Sequence, residues 1–216
     1  MANRHEIAKA LLRINAVALS LNPPFTWVSG IRSPIYCDNR LLISHPTERN
    51  LVVNRFVDEI LSMGEKPDCI AGTATSGIPF AAWVADRMNL PMCYVRAEKK
   101  AHGKGKAIEG DVHAGDNVLV IEDLISTGKS SVSVVRNLLD AGLTVTGVIS
   151  IFSYEMEKAN ENFKTVNIAP ISLETISSLL KLAVSDGTLS QKDAHVINDF
   201  RNDPQGWYKR NFPENP

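Results

Sequence analysis

Residues 118–131 read VLVIEDLISTGKSS. Four apolar residues run into two adjacent acids, Glu122 and Asp123, then Leu124 and Ile125, then a turn rich in hydroxyls and glycine that opens into a helical pattern. Backbone N–H groups of Ser126, Thr127, Gly128, Lys129 and Ser130, together with the hydroxyls and the positive end of the following helix dipole, form a cradle for a phosphate monoester. Gly128 allows the backbone to approach such an anion closely. Glu122 and Asp123 can accept hydrogen bonds from sugar hydroxyls or hold a metal through water. Adjacent carboxylates at a strand end repel each other without structural return, which favours a ligand role for the pair. The plain alternative is a strand, a polar turn and a helix capped by Ser126 or Thr127. Gly128-Lys129-Ser130 also looks like the end of a nucleotide-triphosphate loop. That pattern needs a glycine five residues before Gly128, where this chain has Asp123.

Working outward, short apolar runs recur at 68–72 (DCIAG), 92–96 (MCYVR), 117–122 (NVLVIE) and 144–152 (TVTGVISIF), with helical patterns at 77–89 and 129–141. Runs of this kind predict strands buried on both faces, hence an α/β fold whose parallel sheet is flanked by helices. Ligands of such sheets bind beyond the carboxyl ends of the strands. The rule selects three loops: 73–77 (TATSG), 97–111 (AEKKAHGKGKAIEGD) and 123–130 (DLISTGKS). Upstream, Ile7, Leu11, Leu12, Ile14, Val17 and Ala18 predict an amphipathic helix over 4–20, ended by Pro23 and Pro24. FTWVSGIRSPIYCDNRL (25–41) predicts a hairpin around Ser29-Gly30, and helical periodicity resumes over 47–63. Beyond about residue 155 the pattern is mixed helix, with Leu173, Ile176, Leu179, Leu180 and Leu182 on one apolar face. The 216 residues, without internal repeats, read as a single domain.

Lys plus Arg number 23 against 24 Asp plus Glu, so no global field draws the protein to nucleic acid or to an anionic membrane, and anions must be held by local groups. The three cysteines (Cys37, Cys69 and Cys93) lack disulfide or zinc spacing, and a reducing, cytoplasmic setting is expected. The N-terminal segment lacks the continuous apolar run of a signal peptide or membrane span. His5, His45, His113 and His195 have no partners at metal-binding spacing and read as surface or packing residues. Residues 96–110 combine Arg96, Lys99, Lys100, His102, Lys104 and Lys106 with three glycines. The composition reads as a lid able to close cations over an anionic leaving group and exclude water, or as a solvated surface loop.

The 118–131 string resembles the phosphoribosyl-diphosphate signature of type I phosphoribosyltransferases. Lys100-Ala101-His102-Gly103 resembles the catalytic loop of the orotate phosphoribosyltransferases within them. FTWVSGIRSPIYCDNR, with Pro34, Tyr36 and Asp38, resembles that family's amino-terminal hairpin, and GTATSGIP (72–79) its diphosphate loop. The resemblance implies the type I phosphoribosyltransferase fold, a parallel sheet flanked by helices with a small hood over about residues 1–45. It implies transfer of ribose 5-phosphate from 5-phospho-α-D-ribose 1-diphosphate to orotate. Glu122 and Asp123 would contact the ribose hydroxyls, Ser126, Thr127, Gly128, Lys129 and Ser130 would bind the 5-phosphate, and Leu124 and Ile125 between them would belong to the same substrate-binding segment. Arg96, Lys100 and His102 would act on the diphosphate, Lys100 foremost, with Lys99, Thr75 and Ser76 assisting. Mg²⁺ would be held by substrate, water and Asp123 rather than by a protein cage. A homodimer in which the loop of one subunit enters its neighbour's site is implied too. The chain departs from some family members in having Val28 for a lysine, Thr75-Ser76 for a tyrosine-lysine pair, and Tyr154 for an arginine that contacts orotate. Purine or uracil transfer would share the 118–131 motif without the lysine-histidine loop, and a regulatory protein of this fold would lose loop cations or gain a DNA-binding element.

Overall fold

The computed structural model describes residues 5–27, 30–97 and 107–213. Helix α1 (Glu6–Arg13) is shorter than the periodicity predicts, and residues 17–19 are strand instead. Asn15 adopts a left-handed conformation (φ 55°), and the N–H of Ala16 closes back onto the Leu11 carbonyl at 2.8 Å. Asparagine tolerates that conformation, so the helix can stop while the apolar spacing runs on. Strand β1 (Val17–Leu19) then pairs antiparallel with a segment from the far side of the hairpin. The predicted hairpin is present: β2 (Phe25–Thr26) pairs with β3 (Arg32–Ser33). Its second arm continues into β4 (Ile35–Cys37), the partner of β1, with Val17 opposite Cys37. A 3₁₀ turn (Asn39–Ser44), capped by the Asp38 carboxylate accepting from the N–H of Arg40, leads to α2 (Pro46–Ser62).

The remainder is the α/β layer. In chain order it comprises β5 (Cys69–Thr73), α3 (Ile78–Met88), β6 (Met92–Val95), β7 (Ile108–Glu109), β8 (Asn117–Ile125), α4 (Lys129–Asp140), β9 (Thr144–Ser153), α5 (Glu157–Lys164), β10 (Ile171–Thr175), α6 (Ile176–Ser185), α7 (Gln191–Asp199) and α8 (Trp207–Asn211). The sheet order is β10-β9-β8-β5-β6-β7, parallel throughout except for β7 at one edge. Leu173, grouped by periodicity with a helical face, lies on β10. That helix begins at Ile176, where the Thr175 hydroxyl caps it by accepting from the Ser178 N–H. A short β-tolerant run completes the open edge of β9, a tertiary demand that local spacing does not report.

Alternation along the central strands divides the core. Ile70, Leu119, Ile121 and Ile149 face Phe56, Phe80, Val84 and the hood, whereas Ala71, Val118, Val120 and Val148 face Val135, Leu138 and Phe163. None of the described helices is long and apolar enough to cross a membrane. Packing is close where α3 meets the sheet. A Cβ on Gly77 would stand 2.6 Å from the Ile121 carbonyl oxygen and 2.9 Å from the backbone of Thr73. Gly77→Ala is therefore expected to destabilise the fold by roughly 1–3 kcal/mol through overpacking against rigid backbone. Urea unfolding would measure this, and an unchanged midpoint would contradict the close seating of α3.

Candidate active site

Strands β5, β6 and β8 run parallel in register, with Thr73 opposite Val95 and Gly72 opposite Ile121. Their carboxyl ends bring the 73–77 loop, the root of the basic loop and the 123–130 loop to one edge of the sheet. The adjacent acids, equivalent in the sequence, have different places there. Glu122 is only 3% exposed. Its Oε1 accepts from the Asp123 N–H at 3.0 Å and its Oε2 from the Ser131 hydroxyl at 2.8 Å. Burial, with the neighbouring Asp123 charge, pushes Glu122 up to about 8. Asp123 is half-buried, and burial raises it from its ordinary value. Its carbonyl accepts from the Asn39 amide at 2.7 Å. Asp123 is thus the more exposed member of the pair, and Glu122 is bonded to its own strand and to α4.

Leu124 is half-buried and Ile125 buried, so both serve as walls rather than as donors. Ser126 is half-buried, while Thr127, Lys129 and Ser130 are exposed. Helix α4 is not capped by Ser126 or Thr127. Its N-cap is Gly128 at φ 71°, and no side chain caps it. Glycine reaches this left-handed conformation freely, and any Cβ there would stand 2.8 Å from the Phe163 ring of α5. The first helical bond runs from the Val132 N–H to the Gly128 carbonyl. The N–H groups of Lys129, Ser130 and Ser131 therefore have no acceptor within the helix and remain available to an anion. On the outer flank of this turn Asn162 donates to the Thr127 carbonyl at 2.8 Å.

Arg96 lies at the end of β6. Its guanidinium pairs with Glu109 at 2.8 Å and rests 5.4 Å from the Tyr94 ring centre. Its N–H donates to the Ala107 carbonyl, and its own carbonyl accepts from the Asn137 amide. The Ser133 hydroxyl donates to the Ala97 carbonyl at 2.6 Å, so the root of the basic loop is tied to α4 at two points. Lys99, Lys100 and His102 fall within 98–106, outside the described residues. In the 73–77 loop, Thr75 is exposed and Ser76 half-buried, and the peptide preceding Thr75 is cis.

Three contributors were not assigned from sequence. Asn39, 1% exposed, ties the hood to Asp123 across 84 positions, a relation that no spacing encodes. Ser131 stands inside the quoted motif, one residue beyond the assigned turn. Tyr154 is buried against Trp27 and Phe152, with ring centres 5.5 and 5.7 Å away. A cavity of about 500 Å³ near Ile125, Ser153 and Phe163 opens on the α5 side and does not include the acid pair. Among the described residues no cluster of three or more His, Cys, Asp or Glu could hold a metal ion.

A phosphoribosyl transferase domain family model matches residues 45–177. The orotate phosphoribosyltransferase of Bacillus caldolyticus is 48% identical over 204 residues, 94% of this chain and 98% of that protein. The orotate phosphoribosyltransferase of Bacillus mycoides (strain KBAB4) is 47% identical over 201 residues, covering 93% and 96%. Among solved structures, the UMP synthase of Leishmania donovani superposes with a TM-score of 0.75 at 29% identity, over 93% of this chain and 42% of that one. The orotate phosphoribosyltransferase of Aeropyrum pernix gives 0.69 at 27% identity, over 82% and 98%. By the match over the α/β layer and by these near full-length relatives, the chain belongs to the phosphoribosyl transferase family, in its orotate phosphoribosyltransferase branch.

Proposed function

We propose that this protein is a cytoplasmic, homodimeric enzyme that transfers the phosphoribosyl group of 5-phospho-α-D-ribose 1-diphosphate to orotate, giving orotidine 5′-phosphate and diphosphate on the route to UMP. The observation that carries this reading is the sorting at the end of β8: a buried, hydrogen-bonded Glu122 supports a half-buried Asp123, immediately before a helix start with unused N–H donors. The turn of Ser126, Thr127, Gly128, Lys129 and Ser130 holds the 5-phosphate. Asp123 accepts from the ribose hydroxyls, and Glu122 holds Asp123 in place. Thr75 and Ser76 face the diphosphate with the backbone of their loop. Near neutral pH Glu122 carries a proton, so the pair presents less than two negative charges to a substrate that is itself an anion.

Orotate offers an anionic ring nitrogen, so orientation behind C1 outweighs acid–base chemistry. The nitrogen's electron pair forms the new C1–N bond, while the C1–O bond to diphosphate breaks and its pair leaves with the diphosphate. Lys100, His102 and Arg96, with Lys99, take up the charge on the leaving group. Arg96 is shared with Glu109, and an ion pair this exposed yields at little cost. The donor set suits Mg²⁺ that arrives with the substrate, with Asp123 as the protein's ligand. When bound, the ion neutralises diphosphate charge. In this reading the basic loop of one subunit serves the site of its neighbour.

The first test follows the near-ultraviolet absorbance of orotate with ribose diphosphate and Mg²⁺, beside parallel assays with uracil, adenine and hypoxanthine. Orotate-only turnover is expected, and turnover of another base in its place would remove the substrate assignment. Lys100→Ala is expected to lower kcat by about 10²–10³; an unchanged kcat would take Lys100 out of the chemistry. Mixing Lys100→Ala with Asp123→Ala protein should restore part of the activity, since one hybrid site is intact, and no recovery despite subunit exchange would argue against loop sharing. Glu122 sets a pH dependence of stability. Its folded-state pKa is raised from an ordinary 4.5 to about 8, so the folded protein holds a proton that the unfolded chain releases. That contribution is complete below about pH 4.5 and is lost as pH rises through about 8. Across this window wild-type Tm should fall more steeply than that of Glu122→Gln. Parallel Tm–pH curves would refute the raised pKa.

A further inference from the structure

The wall beside Asp123 is braced from behind by the last helices. Strand β9 ends next to β8, with Leu124 opposite Phe152 and Ile125 opposite Ser153, and the Tyr154 N–H donates to the Ile125 carbonyl at 3.0 Å. Tyr154 therefore stands beside the start of the phosphate turn. Its ring packs against Trp27 of the hood, and Trp27 meets Phe200 edge-on at 5.5 Å. Phe200 in turn meets Trp207, whose indole N–H donates to the Val196 carbonyl at 2.7 Å. The other arm of the hairpin is gripped separately, with the Arg32 guanidinium 4.5 Å from the ring centre of Tyr208.

A polar tie reinforces this aromatic one. Glu155, directly after Tyr154, has a left-handed backbone at φ 51°. A residue with a side chain keeps that conformation only where its surroundings fix it. The Glu155 Oε2 accepts from the Ser177 N–H at the start of α6 (3.0 Å) and from an Arg201 Nη at 3.4 Å. The same Arg201 nitrogen donates to the Ser177 hydroxyl at 3.0 Å. Arg201 directly follows Phe200, so one two-residue step backs Trp27 with its first side chain and locks the end of β9 with its second.

We propose that Arg201 is a positioning residue for nucleobase recognition: by holding Glu155 against α6 while Phe200 backs Trp27, it sets the packing of Trp27 on buried Tyr154 and, through it, the hood hairpin beside the base. Arg201 itself bonds to Glu155 and Ser177, and the brace reaches the 123–130 loop through the Tyr154 N–H on the Ile125 carbonyl, so ribose-diphosphate binding should respond to it far less than base binding. The inference rests on the reading of the site as a base-transferring one, and the test separates the two.

Arg201→Ala and Arg201→Lys would be compared with wild type in steady-state kinetics and in hydrogen exchange. In Arg201→Ala the KM for orotate should rise about tenfold, with kcat and the KM for ribose diphosphate within about twofold, the pattern of a lost binding contribution confined to one substrate. Arg201→Lys, which can still reach Glu155 and Ser177 with a charged donor, should recover most of the orotate affinity. Exchange in Arg201→Ala should quicken at 25–37 and 150–156 and stay unchanged at 118–131. Equal rises in both KM values, no rise in either, or a lysine variant no better than alanine would overturn the proposal. If wild type turned over a different base, the substrate assignment would fall, and the same split for that base would still support the brace. If wild type turned over none, the exchange pattern would decide, localised quickening in favour and unchanged protection against.

Discussion

The bond from the Ser131 hydroxyl to buried Glu122 joins the end of β8 to the start of α4, and the candidate site is organised around it. A carboxyl group with so little contact with water is tolerable only when it is hydrogen-bonded or protonated, and Glu122 meets both conditions. Its other oxygen accepts from the Asp123 N–H, which fixes where the next carboxylate leaves the strand. Gly128 completes the arrangement. Its left-handed backbone turns the chain sharply into α4, so that the first helical N–H groups are left without intrahelical acceptors beside Asp123. Asp123 and the open start of α4 are therefore placed by the same short connection, and a shift in one moves the other.

The neighbouring loops are held to this frame by backbone rather than by long side chains. The approach of Gly77 to Ile121 seats α3 against β8, which carries the 73–77 loop to the same edge as Asp123. Hydrogen bonds from Ser133 and Asn137 tie the basic loop's root to α4, the helix whose first N–H groups lack intrahelical acceptors. Functional loops on a rigid sheet are expected to be positioned this way, since only their roots need to be fixed.

Much of this was legible in the sequence because it is local. The strand runs at 69–72, 118–122 and 147–152 are buried on both faces, while that at 92–96 alternates buried with half-buried residues, and burial of the first kind imprints directly on composition. The 118–131 string likewise encodes its strand, its turn and the start of α4 within one short window. What stayed hidden depends on distant partners or on backbone conformation. Val17 and Ala18 continue a helical spacing, yet the left-handed Asn15 ends the helix and β4 captures the strand. Leu173 fits a helical face and pairs with β9 instead. The two acids look alike as letters, and only the fold separates half-buried Asp123 from buried, hydrogen-bonded Glu122. The choice of Gly128 over Ser126 or Thr127 as the helix cap followed from Phe163 of α5, which fills the space that a Cβ at Gly128 would need.

The near balance of charge places the burden of anion capture on geometry. With 23 basic against 24 acidic residues, no long-range field favours a substrate rich in phosphate. Attraction must come from oriented donors at short range, where a desolvated N–H or a helix end is worth more than a distant lysine. A cluster of free cations at the strand ends would bind diphosphate as product as firmly as it binds the substrate's diphosphate. Arg96 illustrates the compromise. Its charge is held by Glu109 and supported by the Tyr94 ring rather than left free. Glu122 follows the same logic on the acidic side, because its proton removes a second full negative charge from beside Asp123.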